Sequence, residues 1–377
     1  MAEALKDQYY SSEFVQDLAR RIKAARPDFQ EADFVQAVLD EGWNQLALKA
    51  RTRHITLCLR RFLPQDYPAA LTVLDEAARS YSQDTDLPLY NLMIFPDFVE
   101  VFGQDDKFWQ RSMQALENYT KLSSSEFAVR PFILKDPGRM MSQMKIWAQS
   151  DNEHVRRLAS EGSRPRLPWS MQLKNFIADP RPTVEILDQL RTDPSLYVRK
   201  SVANHLNDIS KDHPALALET ARRWLCGEYS NEEAERVRWI VKHGLRTLLK
   251  RGDKEALKLF GLTAEDNHKV KVQRFVLTER SISIGEKLHF SVELKALDGC
   301  SVRLEYQLGW VDAKGGTHQK VFQLGLCGLK AGESCTISKA LSFAPMTTRR
   351  HHLGRNTITI KINGQDAGCR SFYLRAN

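Results

Sequence analysis

Residues 151–157 read Asp-Asn-Glu-His-Val-Arg-Arg, and a related stretch, Asp-Pro-Ser-Leu-Tyr-Val-Arg-Lys, returns at residues 193–200. A weaker copy, Glu-Ala-Glu-Arg-Val-Arg-Trp, occupies residues 233–239. The Val-Arg pairs of these copies begin at Val155, Val198 and Val237, so they lie 43 and then 39 residues apart. This period is typical of HEAT-type repeats, in which pairs of helices stack because one pair cannot bury its own apolar face.

The apolar residues keep a helical spacing of three and four on both sides of these copies, as in Phe34, Val35, Val38 and Leu39. Helix starts are marked by Asp-Pro pairs at residues 179–180 and 193–194, and the pattern Ser-x-x-Glu at residues 123–126 has the form of a capping box. We therefore predict an all-α solenoid of HEAT-like repeats over residues 1–262.

After residue 267 the apolar pattern becomes alternating, as in Leu288, Phe290, Val292 and Leu294. Turns that contain glycine separate such runs, and about seven or eight short strands in about 110 residues are typical of an immunoglobulin-like sandwich. The cysteine and tryptophan spacing of antibody domains is absent, so the term describes architecture only. The sequence predicts a multidomain protein: the helical solenoid, then an all-β sandwich over residues 268–377.

Positive charge is concentrated in the predicted sandwich. Residues 269–377 contain 17 Lys and Arg against 8 Asp and Glu, a balance of +9, whereas residues 1–268 contain 38 against 39, a balance of −1. A basic module beside a neutral one favours a polyanionic partner, because binding to phosphates releases counterions. Charge alone is equally compatible with a feature that serves solubility.

Cysteine usage and hydropathy indicate a cytoplasmic protein. The six cysteines never form a C-x-x-C pair, which favours reduced thiols over a structural zinc site. The longest apolar runs are much shorter than the roughly 18 residues that a membrane span needs, and the first residues lack the layout of a secretory signal. We expect no membrane contact, no metal and no cofactor.

The stretch at residues 159–169, Ala-Ser-Glu-Gly-Ser-Arg-Pro-Arg-Leu-Pro-Trp, is unusual because it combines two prolines, two arginines, a glutamate and a tryptophan directly after a repeat helix. Two prolines end the helix and stiffen the loop. Arg164 and Arg166 would suit phosphate, and Trp169 would suit a nucleotide face. The alternative is that Trp169 fills a junction between repeats.

This stretch, the run Val-Arg-Lys-Ser-Val-Ala-Asn-His-Leu-Asn-Asp at residues 198–208 and the repeat spacing closely resemble AlkC-type DNA glycosylases. With the AlkD-type enzymes, these form the HEAT-like-repeat family of alkylated-base glycosylases in bacteria. The resemblance covers the helical region, and some AlkC-type members also carry a C-terminal β domain.

The resemblance implies a groove that wraps duplex DNA and excises cationic N-alkylated bases, N3-methyladenine and 3-methylcytosine, without fully flipping the damaged base. Such a base is already a good leaving group, so no strong general acid is needed. Fixed carboxylates would stabilise the oxocarbenium-like transition state, and one of them would hold the attacking water. Since no lysine in an apolar stripe lies near the acids in sequence, we expect a monofunctional glycosylase.

Three acids are candidates for this role. Glu161 lies in the unusual loop stretch. Asp208 follows Glu161 one repeat later, and Glu126 precedes Glu161 by one repeat. Glu126 could instead be a capping-box glutamate, and Asp208 a solvated helix end; the family resemblance favours the catalytic role for both. Trp169 is the predicted contact to the lesion.

The candidate DNA-binding residues lie near the Val-Arg pairs, in the unusual loop, and in a basic stretch of the predicted sandwich. They are Arg157, Arg164, Arg166, Arg199, Lys200, Arg349, Arg350 and Arg355. The sandwich residues among them lead us to expect a second DNA-contacting element there.

Two other classes of function remain open at the level of residues. A HEAT-repeat solenoid can be a non-catalytic protein scaffold, and a basic repeat protein can bind DNA without acting on it. We expect double-stranded DNA with alkylated bases as the partner, no obligate protein partner and a monomer.

Overall fold

The computed structural model describes residues 5–83, 89–312, 314–346 and 351–376. Helices occupy the chain up to residue 258, and strands follow from residue 270. The helices are α1 (Leu5–Tyr9), α2 (Ser12–Ala25), α3 (Glu31–Val38), α4 (Leu48–Phe62), α5 (Tyr67–Ser80), α6 (Ile94–Phe102), α7 (Trp109–Thr120), α8 (Val129–Lys135), α9 (Pro137–Trp147), α10 (Glu153–Gly162), α11 (Lys174–Ala178), α12 (Arg181–Leu190), α13 (Leu196–Asp212), α14 (Pro214–Leu225), α15 (Asn231–Gly244), α16 (Arg246–Arg251) and α17 (Lys254–Lys258). No helix in these ranges is long and apolar enough to cross a membrane.

The chain divides into two compact units. The helical unit comprises Met1–Asp212 and Trp224–Gly244, and the sandwich unit comprises His213–Arg223 and Leu245–Asn377. Helices α16 and α17 therefore group with the strands. The predicted fold class, helical repeats followed by a β-sandwich, is confirmed, whereas the predicted domain boundary between residues 262 and 268 stays a prediction.

The repeated Val-Arg pairs mark the stacked helices α10, α13 and α15. Val155, Val198 and Val237 are at most 1% exposed, and α13 packs against both α10 and α15. At the second contact, Gly244 provides the close approach, because a Cβ there would lie 2.7 Å from a Leu206 methyl carbon. Burial of this shared apolar stripe explains why the pattern repeats along the sequence.

The arginine of each of the first two pairs stabilises the turn that precedes its helix. Arg156 Nη1 donates to the carbonyls of Ser150 and Asp151, both at 2.9 Å. Arg199 Nη1 donates in the same way to the carbonyls of Asp193 and Pro194, at 2.8 and 2.7 Å. The arginines thus satisfy carbonyls of the turn and tie it to the helix that follows.

The strands of the sandwich unit form two sheets that enclose an apolar core. The three-stranded sheet has the order β1-β3-β6, and the five-stranded sheet has the order β2-β8-β7-β4-β5. Among the strand pairs of the described residues, β2–β8 is parallel and the others are antiparallel. Alternation along β3 buries Leu288, Phe290, Val292 and Leu294, as predicted. The strands are β1 (Val270–Leu277), β2 (Ser281–Ser283), β3 (Lys287–Ala296), β4 (Cys300–Val311), β5 (Thr317–Leu329), β6 (Ser334–Ser342), β7 (Gly354–Ile362) and β8 (Gln365–Arg375).

A close backbone approach joins the helical part of the sandwich unit to its strands. Gly252, which ends α16, and Gly364, in the turn between β7 and β8, have φ values of 72° and 80°. A Cβ on Gly364 would lie 2.3 Å from the Cα of Gly252. Next to it, the Asn363 side chain accepts from the Arg303 backbone and donates to the Thr263 carbonyl. Only glycine fits the Gly364 position.

Gly364→Ala should therefore destabilise the protein more than Gly332→Ala. Gly332 has nearly the same φ, 79°, but no heavy atom lies within 4 Å of its added Cβ. We expect Gly332→Ala to lower the free energy of unfolding by about 1 kcal/mol, from backbone strain alone. Gly364→Ala should cost about 1–3 kcal/mol more, because the backbones must separate. Urea unfolding measures both, and equal losses would show that the close approach contributes nothing.

Candidate active site

Glu161 lies at the end of α10 and is held from two sides. Its side chain is almost buried, with the residue 6% exposed. Oε1 accepts from Arg164 Nη1 at 2.6 Å, and Oε2 accepts from the Ser201 hydroxyl of α13 at 2.6 Å. The carboxylate is therefore fixed both by the loop that follows its own helix and by the next repeat.

Asp208 is joined to Glu161 through the same arginine. Arg164 Nε donates to Asp208 Oδ2 at 2.9 Å, and Lys211 Nζ donates to Oδ1 at 2.9 Å. Asp208 is 1% exposed and Arg164 is 7% exposed. The carboxylate is thus no solvated helix end: it is buried, and buried charges need such partners.

Glu126 is linked to the same group through Arg157. Arg157 Nη1 donates to Glu126 Oε2 at 2.5 Å, while its Nη2 lies 3.6 Å from Glu161 Oε1. The capping-box interpretation is wrong, because α8 begins at Val129 and its N-cap, Ala128, makes no side-chain bond. Side chains of alternating charge therefore run through the helical unit, and we call this set the charge row: Glu126, Arg157, Glu161, Arg164, Asp208 and Lys211.

The loop after α10 is anchored by the buried Arg130 of α8. Its Nη1 donates to the carbonyls of Gly162 and Arg164, at 3.0 and 2.9 Å. Its Nε and Nη2 donate to the Met171 carbonyl, at 2.9 and 2.6 Å. Burial lowers the pKa of Arg130 to about 10, so the guanidinium remains charged at neutral pH. One side chain thus fastens both ends of the loop.

Trp169 projects from this anchored loop into solvent. Trp169 is 68% exposed, and its backbone φ is 62°. The junction-filling alternative for Trp169 is therefore wrong. A second exposed aromatic residue, Tyr197 at the start of α13, lies beside the charge row, with the Arg157 guanidinium 5.0 Å from its ring centre.

Behind Glu161, His205 joins α13 to α10. Its Nδ1–H donates to the Ser160 carbonyl at 2.9 Å, and its Nε2 is a buried atom without a partner in the described structure. Burial lowers the pKa of this fully enclosed imidazole to about 3. His205 is therefore neutral at physiological pH and serves the helix contact.

Several predicted DNA-binding residues bond to other groups of the protein in the structure. Arg164 lies between two carboxylates, Arg157 bonds Glu126, and Arg199 bonds backbone carbonyls. Arg166 pairs with Asp212 through two bonds of 2.7 and 2.8 Å and keeps a third of its side chain exposed.

The other predicted DNA-binding residues lie at the surface or outside the residues that the structure describes. Lys200 and Arg355 are exposed. Arg349 and Arg350 lie outside the described residues. Within the described part of the chain, no three His, Cys, Asp or Glu side chains are placed to hold a metal ion.

Four residues around the acids were not predicted as site residues from the sequence. Ser201 and Tyr197 adjoin the Val-Arg pair at residue 198, so their place in the repeat was an available signal. Arg130 and Lys49 lie in earlier helices, and Lys49 Nζ donates to the Trp169 carbonyl across 120 positions of sequence. No local pattern identifies such distant partners.

Comparison with known proteins identifies the family. Residues 97–248 match the family model "DNA alkylation repair enzyme", and residues 271–376 match "Uncharacterised protein YhaZ, C-terminal Ig-like domain". Protein YhaZ of Bacillus subtilis (strain 168), itself uncharacterised, is 41% identical over 356 residues, which are 94% of this chain and 95% of YhaZ. The structure of the alkylpurine DNA glycosylase AlkC of Pseudomonas fluorescens, bound to DNA containing an abasic site analogue, is 38% identical with a TM-score of 0.89, over 99% of this chain and 100% of that one.

The chain belongs to the AlkC family of DNA alkylation repair enzymes. In this AlkC-family protein, the region that matches the DNA alkylation repair model begins at residue 97. It therefore includes Glu126, Glu161, Asp208 and Trp169 but not Lys49. The helical part of the protein thus has the fold of a DNA alkylation repair glycosylase, and the predicted Ig-like domain is confirmed.

The neutral state of His205 predicts an acid-sensitive contact between α10 and α13. An unfolded histidine binds a proton near pH 6.5, whereas the folded His205 binds it only near pH 3. Between these values the unfolded state holds more protons, so stability falls as pH falls. From pH 7.5 to 5.0, His205 should remove about 2 kcal/mol from the free energy of unfolding.

Urea unfolding of His205→Asn at both pH values tests this prediction. The amide can still donate to the Ser160 carbonyl but does not titrate, so the variant should lose about 2 kcal/mol less than wild type on acidification. The control is His268→Asn, because His268 is exposed. An unchanged pH dependence in His205→Asn would contradict the prediction.

Proposed function

We propose that this protein is a monofunctional DNA glycosylase that hydrolyses the N-glycosidic bond of cationic alkylated bases, N3-methyladenine and 3-methylcytosine, in duplex DNA. The observation that carries the proposal is the charge row, which holds three carboxylates in place beside exposed aromatic side chains. The AlkC structure with DNA containing an abasic site analogue, 38% identical to this chain, supports DNA as the partner.

The carboxylates of Glu126, Glu161 and Asp208 suit a transition state that carries positive charge on the sugar. Each is held by at least one charged hydrogen bond, so little reorganisation is needed when that charge develops. Glu126 has the most accessible of the three side chains, 16% exposed against 8% and 1%. Glu126 is therefore the acid most open to a water molecule, and Glu161 and Asp208 act through their fixed negative charge.

The leaving group needs little help, because an N-alkylated base is positively charged before the bond breaks. The reaction requires neither a general acid nor a cofactor. Lys211 does lie beside the acids, 2.9 Å from Asp208. Its ammonium is held as a donor in that ion pair, and a protonated amine is not a nucleophile. We therefore retain hydrolysis by water without β-lyase activity.

Trp169 and Tyr197 give the site its affinity for a cationic lesion. Both side chains are exposed, at 68% and 38%, and the face of an aromatic ring attracts positive charge. Because both rings lie at the protein surface, they can contact a damaged nucleotide that stays largely stacked in the duplex, without full base flipping. We propose that the protein acts as a monomer, since one chain carries all these groups, and that it is cytoplasmic, in line with its cysteine usage.

The placement of the arginines changes the proposed DNA contacts. We assign Arg164 to positioning of Glu161 and Asp208, because its guanidinium is buried between them. Lys200 and Arg166 remain candidates to bind phosphates near the site. In the sandwich unit, we propose Arg349, Arg350 and Arg355 as further phosphate contacts, consistent with the excess positive charge there.

Release of free methylated bases from alkylated duplex DNA, resolved by base type, tests the proposed activity. Glu161→Gln and Asp208→Asn should each lower single-turnover excision by about 100-fold and leave affinity for undamaged DNA nearly unchanged. Asp193→Asn is the matched control, because Asp193 is also buried and paired with an arginine, Arg156, but lies outside the charge row.

Two outcomes would count against this assignment. Rates near wild type in both variants would remove the acids from the mechanism. Tight binding of DNA without release of any base by the wild-type protein would leave a DNA-binding protein that is not an enzyme.

Salt dependence of DNA binding tests the proposed contacts in the sandwich unit. Replacing Arg349, Arg350 and Arg355 together by Ala should weaken binding and flatten the plot of log K against log salt by up to about 3 units of slope, because fewer counterions are released. The control replaces three exposed lysines of the three-stranded sheet, Lys287, Lys295 and Lys339. Equal effects in both triple variants would show that only the total charge matters.

A further inference from the structure

Trp169 has a backbone conformation that a bulky side chain rarely adopts. Its φ of 62° lies in the left-handed region, where Cβ crowds the backbone carbonyl. Among the described residues other than glycine, only Trp169 and Asn363 have a positive φ. Such a conformation persists only where surrounding contacts enforce it. The contacts of the Trp169 backbone therefore determine where the exposed indole points.

Two hydrogen bonds bear on this residue directly. The Ser170 N–H donates to the Leu167 carbonyl at 3.4 Å and closes a turn around Trp169; the bond to the Trp169 carbonyl itself comes from Lys49. It is the second residue of α4, and its Nζ donates to the Trp169 carbonyl at 2.7 Å. The ammonium also lies 4.2 Å from the centre of the Phe127 ring, next to Glu126 in sequence. Lys49 thus connects the Trp169 backbone to a segment that carries one of the three acids.

The surroundings of Lys49 leave its ammonium available for this carbonyl. Lys49 borders a cavity of about 70 Å³ whose lining includes Asp97 and Glu100. Both carboxylates are bound by Arg53, at 2.9 Å for Asp97 and 2.5 Å for Glu100. No carboxylate among the described residues lies within 4.0 Å of the Lys49 ammonium. Burial lowers the pKa of Lys49, so a partner for its charge is valuable.

Lys49 and Arg130 act on different parts of the loop. Arg130 fixes the carbonyls of Gly162, Arg164 and Met171, which are the two ends. Lys49 is the donor to the Trp169 carbonyl between them. Without Lys49 the loop would remain attached at both ends, and the 3.4 Å turn bond from the Ser170 N–H to the Leu167 carbonyl would be left to hold the Trp169 backbone. This bond is long, so the turn could shift and direct the indole away.

We propose that Lys49 is a positioning residue of the glycosylase site: its ammonium holds the Trp169 carbonyl and keeps the indole directed at the damaged nucleotide. This inference rests on the proposed function. It assigns Lys49 no contact with the reacting atoms and no role as a nucleophile. Its effect on excision must then pass entirely through Trp169.

A double-mutant cycle in the full-length protein tests this dependence. Lys49→Met removes the donor and keeps the aliphatic stem; it should lower single-turnover release of N3-methyladenine by about 10- to 100-fold, because misplacement of a contact group costs this much. Affinity for undamaged duplex should change less than twofold. In a Trp169→Ala background, Lys49→Met should cause no further loss. Lys49→Arg, which keeps a charged donor, should retain most of the activity.

Controls separate this role from a loss of folding. Lys145→Met, at an exposed ion pair with Glu185, should behave as wild type. The melting temperature of each variant is measured together with its excision rate. Lys49→Ala is carried through the same double-mutant cycle as Lys49→Met, so that the test needs only one of the two variants to fold.

Three results would overturn the proposal. The first is a wild-type rate in Lys49→Met, and the second is an equal loss from Lys49→Met with and without Trp169. The third is a covalent complex between Lys49 and DNA trapped by borohydride, which would make Lys49 a nucleophile. Failure of the proposed function is distinct, since the wild-type protein would then release no base at all.

Discussion

Arg164 donates to Glu161 and Asp208 at the same time, and the arrangement of the site depends on this bridge. Both carboxylates are at most 6% exposed, so each would be strongly destabilising without a charged partner. A planar guanidinium can satisfy two acids from different helices in fixed geometry. It therefore sets the position of α13 relative to the end of α10, and the loop that carries Trp169 begins at the same residue.

The charge row extends the same constraint over three consecutive repeats. Glu126 precedes α8, Glu161 ends α10 and Asp208 lies in α13, with arginines between them. Stacking of the repeats brings these three segments side by side. The acids do not occupy equivalent repeat positions, since Glu161 lies 6 residues after Val155 and Asp208 lies 10 residues after Val198, and the arginines between them bridge this offset. The apolar stripe and the buried ion pairs are thus mutually dependent: the stripe sets the spacing of the helices, and the ion pairs make it possible to keep acids at that spacing.

Periodicity in the sequence was sufficient for the fold class, since Val155, Val198 and Val237 are buried where the repeat places them. The unusual composition of residues 159–169 singled out Glu161 and Trp169 as candidates, and their roles stay predictions. This composition could not reveal that Arg164 is buried, because an arginine beside two prolines in a loop is usually exposed. The roles of Arg130 and Lys49 were equally hidden, since both bond backbone carbonyls far away in sequence, and carbonyls leave no trace in residue identity.

Because Arg130 closes the loop at its base, the exposed part of the loop is separate from the packing of the helices that the loop connects. Because one guanidinium holds the carbonyls of Gly162, Arg164 and Met171, the segment from Pro165 to Ser170 begins and ends at nearly the same place. Within that segment, substitutions at the exposed Pro168 and Trp169 need not disturb the helices, whereas Leu167 is buried and Arg166 pairs with Asp212 of α13. Packing of the helix stack therefore leaves the side chain at position 169 unrestricted, so that proteins with the same framework can present a different side chain there.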